Sequence, residues 1–408
     1  MASLLRLTSV AIASVVLTQA LATRAEAPAS SVDADSVSAS LDRASLRIDR
    51  GTHIGAIRSI AASKDGRRIV TGSEDRTIRL WDAQSGEPIR TLRPPSMPSG
   101  DEGKIYAVAL SPDGRWIAAA GSTRFYDDRS AGGSSVYLFD ADRGTLVRRL
   151  PGPSTLAENT RVERLLFSSD GKRMVSTRGS ERTVGIYDLE TGSDLGAPLS
   201  NLTQFYDADF DPQGRLLLCR RDGVQLHDPM LRPTSSLDRL PGLVRARFSP
   251  DGTLLALLYS DGRVELRRAR DLKPVPIPMP KQPPLPLTEA TALGFASDGK
   301  SLVIAAQPAD LSQRQPTQAI LRRIQLGTAS LTDTPLPVPT VHDLATLPDG
   351  AIAFAASDGS WGIVPSSGPV FRVSGGMLTA PFDALRVDAT GQEVELRLGP
   401  QARERLRF

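Results

Sequence analysis

The sequence predicts an all-β protein built from eight copies of one four-stranded unit. Three observations carry this expectation. First, a glycine closes the same pattern eight times: IRSIAASKDG (57–66), IYAVALSPDG (105–114), VERLLFSSDG (162–171), FYDADFDPQG (205–214), LVRARFSPDG (243–252), ATALGFASDG (290–299), VHDLATLPDG (341–350) and FDALRVDATG (382–391). Nine residues before the glycine every copy is apolar, and six before it every copy is apolar again. Second, each glycine is followed by another short apolar run, and most copies add a third, such as TIRLWD, SVYLFD, TVGIYD and GVQLHD. Third, no segment holds the 3.6-residue apolar period of an amphipathic helix.

Each element follows from its residues. The first two runs are short, aliphatic or β-branched, and bounded by Gly, Asp, Ser and Pro, which is strand chemistry. Asp-Gly between them is a hairpin signal, because Gly accepts positive φ and Asp tolerates turn geometry. The first four third runs end in Asp. Fourth strands follow in PIRTLR (88–93) and LVRRLP (146–151). The copies recur about every 45 residues, the spacing of four-stranded propeller blades. Eight blades are expected. Seven with a terminal appendage is the alternative, because copies 6–8 are the most degenerate. The eighth copy stops near its third strand, and SLRIDR (45–50) resembles the fourth-strand segments. That segment is expected to close the ring as an N-terminal outer strand, removing free sheet edges.

The N-terminus is different in kind. MASLLRLTSVAIASVVLTQALATRAEA carries Arg6, an apolar small-residue run from Leu7 to Ala22, and no acidic residue before Glu26. It reads as a signal peptide (1–22) cleaved after Ala22. An uncleaved anchor is the alternative, though the run is short for a span and diluted by Ser, Thr and Gln. Residues 23–43 are Ser/Ala/Asp-rich and are expected to be a flexible linker, leaving 44–408 as the folded domain. The expected location is periplasmic or secreted, with no stable membrane insertion after cleavage. Cys219 is the only cysteine, so no internal disulfide forms. With 40% apolar and 23% charged residues and a net charge of +3, the chain has a globular composition. Its sequence pI of 9.1 comes from interspersed rather than clustered Arg, so no nucleic-acid stripe is expected.

On these residues, 44–408 resembles a WD40-repeat β-propeller, with 51–92 its best-preserved copy. EGKIYAVALSPDGRWIAAAG (102–121) and SVYLFDADRGTLVRRL (135–150) resemble the propeller part of bacterial proteins that also carry a caspase-like peptidase domain. Only the propeller part is matched, so peptidase activity does not carry over. The WD40 resemblance implies that His53, Thr71, Asp75 and Trp81 form a hydrogen-bonded set bracing blade 1, since buried His and Trp N–H groups need partners. Other copies put Phe139, Tyr187 and His227 where Trp81 stands. A catalytic His53–Asp75 pair is the competing reading.

The remaining candidates are weaker. Cys219 sits in an apolar second strand and reads as an inert buried thiol, with adjoining Arg220 and Arg221 keeping a reactive one in view. His53, His227 and His342 show no metal-ligand spacing, and neither metal nor cofactor is expected. Asp207, Asp209 and Asp211 are expected to be solvated or Arg-paired, with a cation at the channel mouth as the alternative. KPVPIPMPKQPPLPL (273–287) reads as an extended polyproline connector on the rim, and as a PxxP ligand in the alternative.

Two insertions between second and third strands, 122–135 and 307–318, offer displayed loops. Phe125 and Tyr126, with Arg124, Arg178, Arg182, Arg220 and Arg221 as a mildly basic sector, are candidates for an interaction surface. The residues eight before the glycine, including Arg58, Tyr106 and Tyr206, are expected at the channel mouth. The function expected is a protein- or peptide-binding scaffold or sensor, non-enzymatic and monomeric. The alternatives are a propeller hydrolase or lyase with a cation in its channel, and an accessory to a separately encoded caspase-like peptidase.

Overall fold

Short hairpin turns oblige consecutive strands to pair, and in every sheet the strands lie side by side in chain order. The structure, a computed structural model, describes residues 51–95, 102–123, 134–150, 161–178, 184–195, 205–220, 223–278, 286–308, 318–328, 330–366, 368–373, 385–387, 393–397 and 403–407. Blade 1 holds β1 (Ile57–Ala62), β2 (Arg68–Ser73), β3 (Ile78–Asp82) and β4 (Pro88–Leu92), and blade 2 holds β5 (Ile105–Leu110), β6 (Trp116–Gly121), β7 (Val136–Asp140) and β8 (Leu146–Leu150). In blade 3, β9 (Val162–Phe167), β10 (Arg173–Arg178) and β11 (Val184–Asp188) are extended by one bridge between Tyr187 and Asp194. Blade 4 comprises β12 (Phe205–Phe210), β13 (Leu216–Arg220), β14 (Gly223–His227) and β15 (Pro233–Asp238). Blade 5 comprises β16 (Leu243–Phe248), β17 (Leu254–Tyr259), β18 (Val264–Arg268) and a two-residue β19 (Pro274–Val275), where the proline-rich connector begins as an edge strand. Blade 6 is β20 (Leu287–Phe295), β21 (Ser301–Pro308), β22 (Ile320–Gln325) and β23 (Leu331–Pro335), and blade 7 is β24 (Val341–Thr346), β25 (Ile352–Ala356), β26 (Trp361–Val364) and β27 (Phe371–Val373). A last sheet contains β28 (Leu385–Val387), β29 (Glu393–Arg397) and β30 (Arg403–Arg407).

The ring has seven blades, which corrects the expectation of eight. The inner strands β1, β5, β9, β12, β16, β20 and β24 each touch the next, and β24 touches β1. Seven apolar clusters fill the seven interfaces. The closing one packs Ile57, Ile60, Ile69 and Trp81 of blade 1 against Ala353, Ala355 and Trp361 of blade 7. There the Trp81 and Trp361 rings lie 5.4 Å apart. Blade 7 takes its outer strand β27 from its own copy; residues 45–50, the expected N-terminal outer strand, lie outside the described residues.

The physical reason is visible in the second strands. A strand sandwiched between two blades is buried on both faces and tolerates no charge in its interior. β2 (RIVTGS), β17 (LLALLY) and β25 (IAFAA) are of that kind: β25 is buried throughout, and β2 and β17 in all but their first residues. β29 reads EVELR, alternating charge with apolar, a pattern suited to a sheet covered on one face. The eighth copy keeps the hairpin signature in its sequence but lacks the run of uncharged residues that two buried faces require.

The recurring Ser-x-Asp-Gly sequence is a hydrogen-bonding device. Ser63 Oγ donates to Asp65 Oδ1 (2.6 Å), the Arg67 N–H donates to the same carboxylate (3.0 Å), and the Arg68 N–H donates to Ser63 Oγ (2.9 Å). Gly66 takes φ 71°, which a side chain would strain. Ser111–Asp113, Ser168–Asp170 and Ser249–Asp251 repeat the contact at 2.5 Å. In blades 1–4 the Asp that ends or directly follows the third strand does the equivalent work at the next turn. Asp82 accepts from the Gln84 and Ser85 N–H groups, and Asp140, Asp188 and Asp228 accept from their own turns. These local bonds replace water at backbone donors that neither ladder reaches.

Candidate functional site: the channel and its rim

Antiparallel pairing puts the start of β1 beside the end of β2, since Ile57 faces Ser73. The β2–β3 loop therefore shares one end of the ring with the entry into β1, and the Asp-Gly turns occupy the other end. The inner strands run from the first end inward, so their early residues form a rim and their later ones lie deeper.

Near that rim, blade 1 holds the predicted set. Trp81 Nε1–H donates to Thr71 Oγ1 (2.8 Å), and Thr71 Oγ1 lies 2.7 Å from His53 Nε2. His53 Nδ1 lies 2.8 Å from Asp75 Oδ2. Each hydrogen finds one place if Thr71 donates to Nε2 and Nδ1–H donates to Asp75. The Thr77 hydroxyl and the Ile54 N–H also donate to the Asp75 carboxylate. Burial alone would raise that carboxyl; the hydrogen bonds from His53, Thr77 and Ile54 outweigh it and hold it down at about 2. The chain of Thr, His and Asp has the outline of a nucleophile relay. Thr71, however, is wholly buried, and its oxygen already accepts from Trp81. The set joins the entry segment to β2 and β3 and offers no attacking atom.

The deeper channel holds charges from blades far apart in the chain. Arg164 of β9 reaches across to Asp343 of β24, with Nη1 3.1 Å from both carboxylate oxygens. Its Nε lies 3.6 Å from Asp207 Oδ1 of β12. Arg247 of β16 donates to Asp207 Oδ2 (2.6 Å) and to the Ala246 carbonyl (2.7 Å). Asp343 also accepts from Ser59 Oγ (3.1 Å) and the Ile60 N–H (3.2 Å) of β1. Burial would raise Asp207, but Arg247, Arg245 and Arg164 together hold it below the ordinary carboxylate range, and the Arg247 guanidinium is held charged in return. Asp209 differs. It accepts from the Phe248 N–H (2.8 Å), and burial pushes it up to about 6 against the pull of Arg247.

The three aspartates therefore meet arginine or backbone donors. Asp211 pairs with Arg215 in the hairpin, and among the described residues no cluster of His, Cys, Asp or Glu is arranged to hold a metal ion. Cys219 is fully buried, and burial, with Asp207 and Asp209 nearby, raises its thiol well above the ordinary value, which disfavours the nucleophilic thiolate.

Arg164, Asp207, Arg245 and Asp343 occupy equivalent positions, seven before the glycine. Sequence reasoning examined the neighbouring column and missed this one. Reading down the column gives Ser59, Ala107, Arg164, Asp207, Arg245, Ala292 and Asp343, an Arg/Asp alternation that only makes sense once the strands stand in a ring.

The rim proper carries Arg58, Tyr106, Glu163 and His342. Arg58 pairs with Glu74, which Lys104 also approaches at 3.3 Å. Arg58 Nη1 lies 3.3 Å from His342 Nε2; a guanidinium only donates, so that nitrogen is the acceptor and the imidazole is neutral. Arg161 stacks over Tyr106 at 5.2 Å and pairs with Glu163 at 3.0 Å. Arg220 pairs within its own blade with Asp238. Arg124, Phe125, Tyr126, Arg182 and Arg221, and the side chains of Arg178 and Tyr206, lie outside the described residues. So do most of 307–318 and residues 279–285 of the proline-rich connector. The feet of the 122–135 insertion are tied: Thr123 Oγ1 donates to the Ser135 carbonyl (2.6 Å), and the Ser135 N–H donates to the Thr123 carbonyl.

A cavity of about 480 Å³ lies between blades 5 and 6, with Leu266, Val275, Leu287 and Ile324 in its apolar lining. Its charged groups are each engaged, Arg322 by Asp333 (2.7 Å), Glu265 by Arg267 (2.7 Å) and Asp261 by Arg263 (2.6 Å). It offers no acid–base pair.

Residues 47–82 and 86–131 match the WD40 family, described as WD domain, G-beta repeat. The chain is 27% identical over 313 residues to the periodic tryptophan protein 2 homolog of Schizosaccharomyces pombe, covering 70% of this chain and 35% of that protein. It is 27% identical over 164 residues to an uncharacterised WD repeat-containing protein of Synechocystis, covering 39% and 40%. Over 122 residues it is 28% identical to a guanine nucleotide-binding protein subunit beta of Arabidopsis thaliana, covering 30% and 29%. The chain thus spans less than half the length of each of these relatives.

Proposed function

We propose that this chain, a WD40-repeat β-propeller, is an exported, non-catalytic scaffold that holds a protein partner at the channel rim. The WD40 propeller is a fold of protein-interaction scaffolds, and one observation points to the rim in particular. Inside the channel Arg164 is engaged with Asp343 and Arg247 with Asp207. Around the opening, part-exposed Tyr106, with Arg161 stacked on its ring, and Arg58, held by Glu74, stand on rigid strand ends. Rigidly held aromatic and Arg side chains are the favoured anchors of protein interfaces.

Export rests on the apolar run and small-residue site before Ala22, and places the partner in the periplasm or outside the cell. Crosslinking in the native host tests the reading. Tyr106→Ala should leave the melting temperature within a few degrees and reduce the captured partner severalfold, and the captured protein should begin at Thr23. Undiminished capture by Tyr106→Ala removes the rim from the interface, and an intact Met1 removes export by cleavage.

A further inference from the structure

Of the four arginines that the inner strands bring to the channel, three have direct partners. Arg58 has Glu74, Arg164 has Asp343, and Arg247 has Asp207. Arg245 of β16 has no hydrogen-bonded or ion-paired partner among the described residues, and its enclosed Nε is unsatisfied. It shares a strand face with Arg247, two residues on. It stands at the register position of Arg164 and Asp207, which meet across the channel, and its charge bears on Asp207 of blade 4 and His342 of blade 7. His342 supplies no competing cation: burial, then the charges of Arg58 and Arg245, push it down to about 4. Arg245 is half-buried; leaving its enclosed Nε without an acceptor costs free energy, and its unpaired charge is a ready partner for an incoming anion.

We propose that Arg245 is the recognition residue for an acidic side chain, Asp or Glu, presented by an extended segment of the partner lying across the rim. This rests on the scaffold reading above and names the partner's chemistry. One planar fork matches one carboxylate. A phosphate dianion would bring a second charge beside Asp207 and Asp343 without a further free cation. Arg245 lies one residue below the rim position held by Val244, a depth of about 3.3 Å. A side chain pointing down from a backbone laid over the mouth reaches that far, whereas a chain terminus would have to turn into the channel.

The test uses the purified full chain with ¹⁵Nε-labelled arginine, observed by NMR. The Arg245 resonance is the one lost in Arg245→Gln, which removes no internal ion pair and should melt with the wild type. N-acetylglutamate N-methylamide should shift that resonance saturably, with half-saturation on the order of 1–20 mM, the range of a single ion pair. The glutamine analogue should leave it unmoved. Arg245→Lys, which keeps charge without the fork, should weaken binding about fivefold or more, and it replaces Arg245→Gln as the test if that variant fails to fold. No saturable shift, tighter binding of inorganic phosphate, or a response to N-acetylglycine alone would each overturn the proposal. Partner capture by Arg245→Gln equal to wild type would overturn this site and leave the scaffold reading standing. Saturable carboxylate binding with no protein captured would do the reverse.

Discussion

Trp81 shows how one side chain serves two neighbours. Its Nε1–H completes the hydrogen bonds of Thr71 and His53, while its ring packs on Trp361 across the closing interface. Trp81→Ala should therefore cost about 3–5 kcal/mol in urea denaturation; a loss under about 1 kcal/mol would contradict the bracing role. The hydrogen-bonded half was legible in the sequence because His53, Thr71, Asp75 and Trp81 stand at repeat positions. The packing half was not: Trp361 is the first residue of β26, whereas Trp81 is the fourth of β3, so no column aligns them. Asp209 gives a prediction of the opposite sign. Its carboxyl is raised from 3.8 to about 6, so its stabilising contribution is complete below pH 3.8 and is lost as pH rises through 6. Asp209→Asn keeps a carbonyl for the Phe248 N–H and should stabilise the protein by about 1–3 kcal/mol at pH 7.5. At pH 3.0, below both values, the difference should vanish, and an equal difference at both pH values would remove the claim.

Among the elements, hairpins were the most legible and inner strands the least. Ser-x-Asp-Gly announces its turn because the bonds are local, and blades 6 and 7, which replace the Ser with Ala296 and Leu347, still take a backbone bond from the Lys300 and Ala351 N–H groups to the turn Asp. Leu231 and Leu272 even adopt φ 65° and 55° in third-to-fourth-strand turns, the region Gly86 and Gly144 supply in blades 1 and 2; both leucines are buried, and packing offsets the strain. The charge pairs between β9, β12, β16 and β24 depend on separations such as the 179 residues from Arg164 to Asp343, which no local pattern encodes. Arg164→Gln would leave Asp343, only 6% exposed at its side chain, without its cation. It should cost about 3–5 kcal/mol. Outer straps such as Arg90 Nη2 to the Asp142 carbonyl are exposed, and Arg90→Gln should cost under about 1 kcal/mol. Equal losses in the two variants would show that the channel pair has no special weight.

For the whole molecule, counting copies overestimated the blades, because a hairpin signature recurs wherever a hairpin forms while membership of the ring needs two apolar faces. The seven-bladed closure places the structural boundary at Val373. A chain ending there should keep a single cooperative thermal transition within a few degrees of the full protein. Loss of cooperativity would mean that the eighth copy belongs to the ring after all.

The Arg164–Asp343 contact also changes how the blades are wired. In a plain ring each blade answers only to its two neighbours, and blade 3 is three interfaces from blade 7 by the shorter way round. The bridge makes that distance one step. A hoop with a spoke has fewer independent ways to open than a hoop alone. A disturbance at the rim of blade 7 reaches the opposite side without passing through blades 1 and 2. Repeat proteins that are linear chains of neighbours unravel from their weakest joint; a chord across the ring ties the strength of that joint to one on the far side.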